Sequence, residues 1–308
     1  MGSNDKLLII GGTGFIGSLL TKEALNRGFN VTVLSLSSKK VNSNIKHVNY
    51  LFADISNIEE LSKVLKNNFF HHVVNLGGYI NHSNFSIGGS KIFDSHFLGL
   101  YNLIKCVNRR HLKSFVQIGS SDEYGSNVAP QKESQRELPI SPYSSAKTSA
   151  TYLLQMLNRT EEFPVVILRP FLVYGPGQDK NRFIPQVING CLSKNEFPVS
   201  QGEQLRDFCY ISDFISAIIS SFENYHAFGE VINIGSGRPI AIKEVINIIK
   251  NIIGFGNPKF GEIPYRVEEN MALYADITKA NRLLNWSPKI TLKDGLEKTI
   301  KFHKDFLL

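Results

Sequence analysis

The sequence has few cysteines, no long apolar run and no recognisable leader. Three cysteines in 308 residues rule out a disulfide scaffold. Cys106, Cys191 and Cys209 also lack the C-x-x-C spacing typical of structural zinc sites, so we expect no metal site. Polar or charged residues interrupt every apolar run before 18 positions, which argues against a transmembrane helix. The polar start, MGSNDK, is not typical of a signal peptide, and we therefore expect a cytoplasmic protein.

The charge balance is mildly basic but not concentrated. The 34 Lys and Arg residues exceed the 27 Asp and Glu residues, which gives a net charge of +7. The densest basic clusters are the doublets 39–40 and 109–110, whereas nucleic-acid-binding proteins carry a basic patch or stripe. We therefore expect no nucleic-acid or membrane partner, and a small anionic ligand such as a dinucleotide or a nucleotide sugar.

Short runs of β-branched and other apolar residues alternate with helix-like segments through the first two thirds of the chain. Such runs indicate parallel strands that are buried on both faces of a sheet. The predicted fold class is therefore α/β, a doubly wound parallel sheet (Rossmann-like). The predicted strands are 6–10, 31–36, 50–53, 72–76, 115–118, 165–168 and 231–234, and the predicted helices are 17–27, 58–66, 92–109 and 143–159.

The alternation changes after Pro170. Prolines and glycines crowd 170–177, and longer loops occupy 194–204 and 254–270. The apolar run 231–234 still predicts a sheet strand, so we expect the chain to cross back once. We predict a dinucleotide-binding domain over 1–170 that includes this returning strand, and a smaller, partly discontinuous lobe over 171–308.

A glycine-rich turn, GGTGFIG over residues 11–17, joins the first predicted strand to the first helix. Gly11 permits the tight turn, Gly14 lets a pyrophosphate approach the backbone, and Gly17 lets helix and strand pack closely. In this context the motif predicts a dinucleotide site, although a structural glycine turn would contain the same residues. The predicted cofactor-binding residues are Gly11, Thr13, Gly14, Phe15, Ile16, Gly17, Ser35, Ser37, Asp54, Ile55, Leu76, Gly77 and Lys147.

Acidic residues are missing where many dinucleotide-binding enzymes need one. A carboxylate at the end of the second strand normally binds the adenosine ribose and repels a 2′-phosphate. No Asp or Glu occurs between Ala24 and Ala53, and the strand end reads LSLSSKK over 34–40. These hydroxyl and ammonium groups favour NADP(H), although serine and backbone amides can also hold an unphosphorylated ribose. Asp54 is expected either at the adenine edge or at the start of helix 58–66.

Tyr143 and Lys147 are four residues apart in a predicted helix, which places them on one face, one turn apart. A neighbouring ammonium favours the phenolate, so we expect the pKa of Tyr143 to fall toward the working pH. Such a tyrosine can exchange a proton with a sugar hydroxyl while hydride moves. Ser120 follows the buried strand 115–118, where it can hydrogen-bond the same reacting oxygen. An amphipathic helix pair and a serine turn that closes the strand are the structural alternatives.

Further motifs follow in the order seen in a known family. They are LRPFLVYGPG over 168–177, RDFCYISD over 206–213, ADITKA over 275–280 and WSP over 286–288. With the glycine turn, Ser120 and the Tyr143/Lys147 pair, the chain resembles extended short-chain dehydrogenases/reductases, in particular the NAD-dependent nucleotide-sugar epimerase/dehydratase branch. The resemblance covers nearly the whole chain, and it implies an NAD(P)-dependent enzyme that acts on a nucleotide-diphosphate sugar bound mostly by lobe 171–308.

The resemblance also implies roles for individual residues. The implied catalytic residues are Ser120, Tyr143 and Lys147, and the implied substrate-binding residues are Ser121, Arg182, Arg206 and Arg266. Arg206 falls where the family often binds the substrate diphosphate, and Arg266 matches a second phosphate-binding arginine. A guanidinium pairs with phosphate through two parallel hydrogen bonds. For each arginine, a solvated surface charge is the alternative.

The chain departs from the family pattern at three positions. Leu172 replaces the asparagine of the family's R-P-F-N motif, which removes an expected polar contact to the sugar nucleotide. His96 stands where the family often has asparagine in the helix before the active strand, and we expect it to be a hydrogen-bonded core residue. Asn75 replaces the usual histidine of the fourth strand. These changes concern the pose of the substrate, not the fold.

Acidic residues after Ser120 discriminate among the reactions of the branch. Family dehydratases place an acid and a base directly after the hydroxyl residue, as in Thr-Asp-Glu. Here Ser121 replaces the first acid, and Asp122 stands at the base position with a side chain one carbon shorter. Asp122 and Glu123 are possible acid/base residues. Because elimination of water needs two well-placed groups, a dehydratase is disfavoured.

The preferred function is therefore a simple redox reaction at C4 of a nucleotide-linked sugar, by a 4-keto sugar reductase or a sugar 4-dehydrogenase, in the synthesis of bacterial-type surface polysaccharide. The alternatives are a nucleotide-sugar 4-epimerase, then a 4,6-dehydratase. A non-catalytic dinucleotide sensor is disfavoured because Ser120, Tyr143 and Lys147 are all present. The nucleotide, the sugar and the direction of the reaction stay open.

Two of the predicted helices carry apolar residues beyond one face. In the resembled family such helices pair across a two-fold axis, so we expect a homodimer. Burial of the same side chains against the chain's own sheet is the alternative. The residues concerned are Leu100, Tyr101, Ile104, Tyr152, Leu153 and Met156.

Overall fold

The computed structural model describes residues 4–36, 45–80, 83–265 and 269–307. Its central feature is a seven-stranded sheet in which every pair of neighbouring strands is parallel. The strands, in chain order, are β1 (Lys6–Ile10), β2 (Asn30–Ser35), β3 (Asn49–Phe52), β4 (His72–Asn75), β5 (Ser114–Ile118), β6 (Val165–Pro170), β7 (Leu172–Tyr174), β8 (Glu196–Val199), β9 (Leu205–Arg206), β10 (Phe208–Tyr210), β11 (Val231–Ile234), β12 (Ile240–Ala241), β13 (Asn257–Phe260) and β14 (Ala272–Leu273).

The helices cover both faces of this sheet, as expected for parallel strands joined by crossovers. They are α1 (Phe15–Asn26), α2 (Ile58–Leu65), α3 (Ser90–Phe93), α4 (Gly99–Cys106), α5 (Pro142–Glu161), α6 (Phe183–Leu192), α7 (Ile211–Ser220), α8 (Ile242–Ile253), α9 (Thr278–Leu284) and α10 (Leu292–Leu307). Among the residues described, no helix combines the length and the apolar composition that crossing a membrane requires.

The order across the sheet is β11-β6-β5-β4-β1-β2-β3. Leu7 of β1 lies opposite Val31 of β2 on one side and opposite His72 of β4 on the other. The chain therefore builds β1 to β3 outward and then restarts at β4 on the other side of β1. Such a reversal opens a crevice beyond the carboxyl ends of β1 and β4, where ligands bind in doubly wound sheets. The predicted fold class is confirmed.

The strands are apolar on both faces, because helices cover both. Leu7, Leu8 and Ile9 of β1 are fully buried, although successive side chains of a strand point to opposite faces. The residues Val165 to Leu168 of β6 are also fully buried. Each such side chain contributes about 1.5–3 kcal/mol of transfer free energy to folding. The two layers of buried side chains hold the strand ends, and hence the site, in fixed positions.

The helix predicted over 92–109 is not one continuous α-helix. A π-helical turn over Asp94–Leu98 separates α3 from α4, and a 3₁₀ turn occupies Arg109–His111. The apolar spacing correctly indicates helix, but it does not distinguish an i+4 from an i+5 hydrogen-bond pattern. Such π turns are frequent at functional sites. This one carries His96, which is buried.

The chain returns to the sheet at β11, where Val231 pairs in parallel with Ile167 of β6. The turn that follows β11 is fixed by the buried side chain of Asp207, the residue directly after Arg206 of β9. Its carboxylate accepts the N–H groups of Ser236 (2.6 Å) and Gly237 (3.0 Å). The short ladders β7/β10, β9 with β12 and β14, and β8/β13 lie in the same half of the chain. Arg206 belongs to β9, and its neighbour Asp207 contacts the turn after β11, so Arg206 lies close to that turn.

Candidate active site

The glycine turn between β1 and α1 has no room for a side chain at Gly12 or Gly17. Gly11 adopts φ +75°, which glycine reaches without strain, and its N–H donates to the Leu34 carbonyl (2.8 Å). A Cβ at Gly17 would clash with the Gly11 carbonyl oxygen, and one at Gly12 would lie 2.6 Å from Val33 Cγ2. The turn therefore brings the start of α1 directly over the end of β1.

The N-terminus of α1 fits the phosphates of a dinucleotide. Gly14 is exposed at the N-cap of α1, and a Cβ at this position would lie 3.3 Å from the Gly11 carbonyl oxygen. Phe15 and Ile16 follow, both half-buried, and the first turn contains no acidic side chain. The N–H groups and the positive end of the helix dipole can therefore meet an anion without a competing carboxylate.

Two hydroxyl groups meet beside this turn. Thr13 Oγ1 and Ser35 Oγ lie 2.9 Å apart, and Ser35 is the last residue of β2. This is the strand end at which NAD-binding sheets usually carry an acidic residue. The residue that follows, Leu36, is exposed. Ser37, the next predicted cofactor contact, and the lysine doublet 39–40 lie outside the described residues.

The loop after β4 closes the other side of the crevice. Leu76 donates its N–H to the Ile10 carbonyl (3.1 Å), and Gly77 donates its N–H to Asn75 Oδ1 (3.0 Å). Asn75 Nδ2 in turn donates to Gln117 Oε1 (2.9 Å) in the neighbouring strand. Asn75, where the family usually has histidine, therefore fixes the loop that contains two predicted cofactor-binding residues.

Asp54 and Ile55 follow β3 and have different environments. Asp54 Oδ1 accepts both the N–H (2.8 Å) and the hydroxyl (2.7 Å) of Ser56, while Asn57 caps α2. The carboxylate of Asp54 thus closes the turn before α2. This position agrees with the expectation that Asp54 lies at the start of helix 58–66. Ile55 is buried, and a Cβ at Gly77 would lie 3.1 Å from its Cδ1. Ile55 therefore packs against the loop that borders the crevice.

Tyr143 and Lys147 owe their positions to the start of α5. Ser141 caps the helix by accepting a backbone N–H of the first turn, and Pro142 occupies the first helical position. Tyr143 therefore lies in the first turn, with Lys147 one turn later on the same face. Lys147 Nζ lies 5.8 Å from the Tyr143 ring centroid and donates a hydrogen bond to the Ile118 carbonyl (2.7 Å).

Ser120 reaches the same point from the end of β5. Its hydroxyl hydrogen-bonds the phenol of Tyr143 and accepts the N–H of Asp122 (3.1 Å). Ser120, Tyr143 and Lys147 are all buried. The structure therefore brings the three predicted catalytic residues together beyond the carboxyl end of β5, on the side of the sheet where the glycine turn follows the carboxyl end of β1.

Burial reverses the ionisation expected for Tyr143. Burial, reinforced by the charge of Asp122, raises the pKa of Tyr143 above its usual value. Burial also lowers the pKa of Lys147 to about 8, against the opposing charge of Glu123. The expected fall in the pKa of Tyr143 is therefore wrong for the chain alone, because desolvation outweighs one neighbouring ammonium. At neutral pH Lys147 is still an ammonium.

Glu123 lies beneath this group of residues and is fully buried. Its carboxylate accepts hydrogen bonds from the Ser120 N–H (2.8 Å), the Thr151 hydroxyl (2.9 Å) and Arg169 Nη2 (2.7 Å). This environment argues against the acid/base role predicted for Glu123. Arg169 is not among the site residues predicted from the sequence, although an arginine inside a buried apolar strand itself indicates an ion pair.

Asp122 and Ser121 differ in their access to the crevice. Asp122 is half-buried, and its charge acts on Tyr143. Ser121 is buried in the 3₁₀ turn Ser121–Tyr124 that follows Ser120. Asp122 is therefore close enough to Tyr143 to act on its ionisation, whereas the Ser121 side chain is buried within the turn.

His96 lies against Tyr143, as an edge-on ring with centroids 5.1 Å apart and planes at 80°. Its Nε2–H donates to the Tyr79 carbonyl (2.8 Å). Burial, reinforced by the charge of Lys147, lowers the pKa of His96 to about 3. His96 is thus the neutral, hydrogen-bonded core residue expected from the sequence, and it also supports the ring of Tyr143.

The predicted phosphate-binding arginines have different surroundings. Arg206 is mostly buried, pairs with Glu269 through Nη2 and donates from Nη1 to the Leu205 carbonyl (2.8 Å). Arg182 is exposed just before α6, and its charge acts on Tyr143. Arg266 lies outside the described residues. The sequence pattern did not indicate that Glu269 is the partner of Arg206, because the two residues are 63 positions apart.

Leu172, the departure in the R-P-F-N motif, lies in β7 and is half-buried. Its N–H donates to the Asp207 carbonyl (2.9 Å). The backbone of the motif is therefore held by the neighbouring strand, and only the side-chain contact to a ligand differs from the family pattern.

One cluster of potential metal ligands occurs in the described part of the chain, at the amino ends of β1 and β4 and thus at the opposite end of the strands from the crevice. It consists of Asp5, His72 and Glu223. Lys113 Nζ lies 2.9 Å from Asp5 Oδ2 and 3.5 Å from Glu223 Oε1, so an ammonium balances the carboxylates. That the protein needs no metal stays a prediction.

Comparison with known proteins agrees with this geometry. Residues 7–235 match the NAD dependent epimerase/dehydratase family. UDP-glucuronate 4-epimerase of Thermodesulfobacterium geofontis (strain OPF15) is 28% identical over 97% of this chain and 96% of its own length. dTDP-glucose 4,6-dehydratase of Streptomyces niveus is 27% identical over 97% and 93%, respectively. The crystal structure of UDP-glucuronic acid 4-epimerase from Bacillus cereus, in complex with UDP-glucuronic acid and NAD, has a TM-score of 0.87 and 28% identity, and the match covers 98% of this chain and 99% of that one.

The family model spans more than half of the chain, from β1 to the end of β11, and includes the glycine turn together with Ser120, Tyr143 and Lys147. The resemblance seen in the sequence motifs is confirmed. The chain is an enzyme of the NAD-dependent epimerase/dehydratase family.

Proposed function

We propose that the protein is a nucleotide-sugar 4-epimerase. The observation that carries this proposal is the group of Ser120, Tyr143 and Lys147 at the carboxyl ends of the sheet strands, where the glycine turn also lies. Two of the three relatives described are 4-epimerases of a UDP-linked sugar acid. They favour the epimerase over the simple reductase or dehydrogenase that the sequence favoured, for which the comparisons offer no direct support.

Tyr143, Ser120 and Lys147 have different roles in the reaction at C4 of the sugar. Bound NAD supplies a hydride acceptor that can return the hydride to the other face of the 4-keto sugar. Tyr143 takes the proton of the C4 hydroxyl and later gives it back, and Ser120 hydrogen-bonds the same oxygen. Lys147 stabilises the phenolate through its charge. These residues lie in a buried site, where each charge acts more strongly than in water.

The ionisation of Tyr143 sets a requirement for this scheme. Its pKa is raised by burial, so a further positive charge near the ring is needed for it to act as a base near neutral pH. Lys147 supplies one such charge below about pH 8, and an oxidised nicotinamide carries another. We therefore expect Tyr143 to ionise more readily in the protein loaded with NAD than in the chain alone.

A 4-keto sugar reductase that uses NADPH is the second candidate. It is favoured by the end of β2, where Ser35 takes the place of the acidic residue that would repel a 2′-phosphate. We propose that NADP(H) binds at least as well as NAD(H). Titration of both cofactors against the purified chain tests this, and a clear preference for NAD(H) would contradict it.

We propose that the nucleotide sugar lies across the crevice from the dinucleotide, in the predicted lobe 171–308. Arg206 is the proposed diphosphate ligand, with Arg266 as a second phosphate ligand, and Arg182 and Ser121 are proposed to contact the sugar or its phosphates. Arg206 would exchange its partner Glu269 for the diphosphate, which offers the guanidinium a bidentate contact. The two-lobe division and the cytoplasmic location stay predictions.

We propose a homodimer formed through α4 and α5. Tyr101 and Leu98 are exposed near the start of α4, and Tyr152 and Met156 are exposed on α5. By contrast, Leu100 is buried within the chain's own core, as is Ile104. The exposed set is therefore smaller than the sequence predicted, but it is contributed by both helices, and a two-fold axis would bury it against itself.

Assays with and without added NAD(P)H separate the two candidate functions. The purified protein, loaded with NAD, is incubated with UDP-, dTDP-, CDP- and GDP-sugars and with their 4-keto derivatives, and NMR follows the configuration at C4. An epimerase inverts C4 without net consumption of NAD(P)H. A reductase acts only on a 4-keto sugar and consumes one NAD(P)H for each product molecule. Absence of both activities over the whole panel would contradict the proposed function.

A further inference from the structure

A buried ion-pair cluster lies directly beneath the proposed catalytic residues. Glu123 and Arg169 are both fully buried, and Arg169 Nη2 lies 2.7 Å from Glu123 Oε2 and 2.5 Å from Glu137 Oε1. The guanidinium carbon lies 4.8 Å from the Tyr124 ring centroid. A buried charge is costly unless it is paired and hydrogen-bonded. Two carboxylates therefore flank one guanidinium, so the formal charge of the cluster is −1.

This cluster is joined to the proposed site through the backbone after β5. Glu123 Oε1 accepts the Ser120 N–H (2.8 Å), and a Cβ at Gly119 would lie only 2.5 Å from the same oxygen. On the other side, Lys147 Nζ donates to the Ile118 carbonyl (2.7 Å). The segment from Ile118 to Ser120 is therefore held between Glu123 and Lys147, and this segment sets the position of the Ser120 hydroxyl.

The charge of Glu123 also reaches the two titrating groups of the site. It acts on Lys147, which also has the titratable neighbours Tyr143 and, on the π turn, His96. It acts on Tyr143 together with Asp122 and Arg182. Glu123 is among the charges that act on Lys147 and Tyr143, whereas Glu137, which shares Arg169 with it, is not among the main charges that act on either group.

We propose that Glu123 is a positioning residue for the reaction, which holds the backbone of Ser120 and supplies the buried negative charge that faces Lys147, while Arg169 and Glu137 hold Glu123 in place. The inference rests on the proposed function only in the kinetic experiments, because these need a substrate that the enzyme converts. It replaces the acid/base role expected for Glu123 with one that needs no contact with substrate.

The pH profile of kcat in the NAD-loaded enzyme tests the charge. Glu123→Gln keeps the shape of the side chain but removes a negative charge near both Lys147 and Tyr143. Loss of a negative neighbour lowers the pKa of each, so both limbs of the profile move to lower pH, by about 1 unit. An unshifted profile would overturn the inference.

Glu137→Gln is the matched control, because it removes the other carboxylate of the same guanidinium. We expect it to lower the melting temperature as Glu123→Gln does, but to leave both limbs of the pH profile where they are in the wild type. If the two variants shift the profile equally, the charge of the cluster acts as a whole and the special position of Glu123 is refuted.

Glu123→Asp tests whether the position of the Glu123 carboxylate matters. If Glu123→Gln does not fold, this variant is the test of the proposal. It keeps the charge but shortens the reach to the Ser120 N–H, so kcat falls about 10–100-fold with KM nearly unchanged and the pH profile retained. Wild-type kcat in Glu123→Asp would overturn the positioning role.

A readout without substrate separates this inference from the proposed function. In protein labelled with ¹³C-lysine, the Lys147 side-chain signal, assigned with Lys147→Arg, is titrated by NMR. It should titrate near pH 8 in the wild type and at lower pH in Glu123→Gln. An equal midpoint in both proteins overturns the inference even if the enzyme turns over, and a shifted midpoint supports it even if no nucleotide sugar reacts.

Discussion

His96 makes stability depend on pH in a way that can be worked out from its surroundings. It is buried, and burial, reinforced by Lys147, lowers its pKa to about 3 in the folded chain. In the unfolded chain the pKa of histidine is about 6.5. Because the folded pKa is the lower one, protonation favours the unfolded state, and stability is lost as the pH falls below about 6.5. The loss is about 1.4 kcal/mol per pH unit, so it reaches about 2 kcal/mol at pH 5.

The assay compares urea unfolding of the wild type and His96→Asn at pH 7.5, 6 and 5. His72 is also buried with a lowered pKa, and it destabilises both proteins equally in acid. The difference in unfolding free energy between the two proteins therefore isolates His96. We expect this difference to change by about 2 kcal/mol between pH 7.5 and pH 5, with the wild type losing more. Parallel pH profiles would show that His96 titrates normally and is not held against Tyr143 as described.

Four further outcomes are expected. Gly14→Ala should weaken NAD(H) binding at least about tenfold, measured by titration calorimetry, while the melting temperature of the chain alone is kept, since φ −78° suits alanine. Gly17→Ala should instead lower that melting temperature, because its Cβ clashes with the Gly11 carbonyl. Arg206→Ala should raise KM for the nucleotide sugar about 10–150-fold and leave dinucleotide binding intact, with only partial rescue by Arg206→Lys; normal KM with a lower melting temperature would make Arg206 structural. Light scattering at micromolar concentration should show a dimer that Tyr152→Glu dissociates, and a wild-type monomer would refute the interface.

Local patterns were enough to predict the sheet and the glycine turn. A buried parallel strand is a short apolar run, and each predicted strand matches an observed one to within two residues at either end. The Tyr143/Lys147 pair was also predictable, because helical spacing alone places residues i and i+4 on one face. The contact between this pair and Ser120 follows from the sheet, because the start of α5 lies at the carboxyl end of β5.

Contacts between distant positions were not predictable from such patterns. Glu123 and Arg169 are 46 positions apart, and the pairing of Arg206 with Glu269 spans 63. The pKa of Tyr143 was misjudged for a related reason, because the local pattern shows the neighbouring ammonium but not how deeply the folded chain buries the ring. The π turn around His96 escaped detection because it has the same apolar spacing as an α-helix.

The most direct test of the central claim, that Tyr143 exchanges the proton at C4 of a nucleotide sugar, is stopped-flow absorbance of the bound nicotinamide. The NAD-loaded protein is mixed with a nucleotide sugar that it epimerises. Wild-type protein should show transient reduction of the bound NAD, and Tyr143→Phe should show the same event about 10²–10⁴-fold more slowly with unchanged NAD affinity. Reduction by Tyr143→Phe at close to the wild-type rate would contradict the account and assign the proton to another residue.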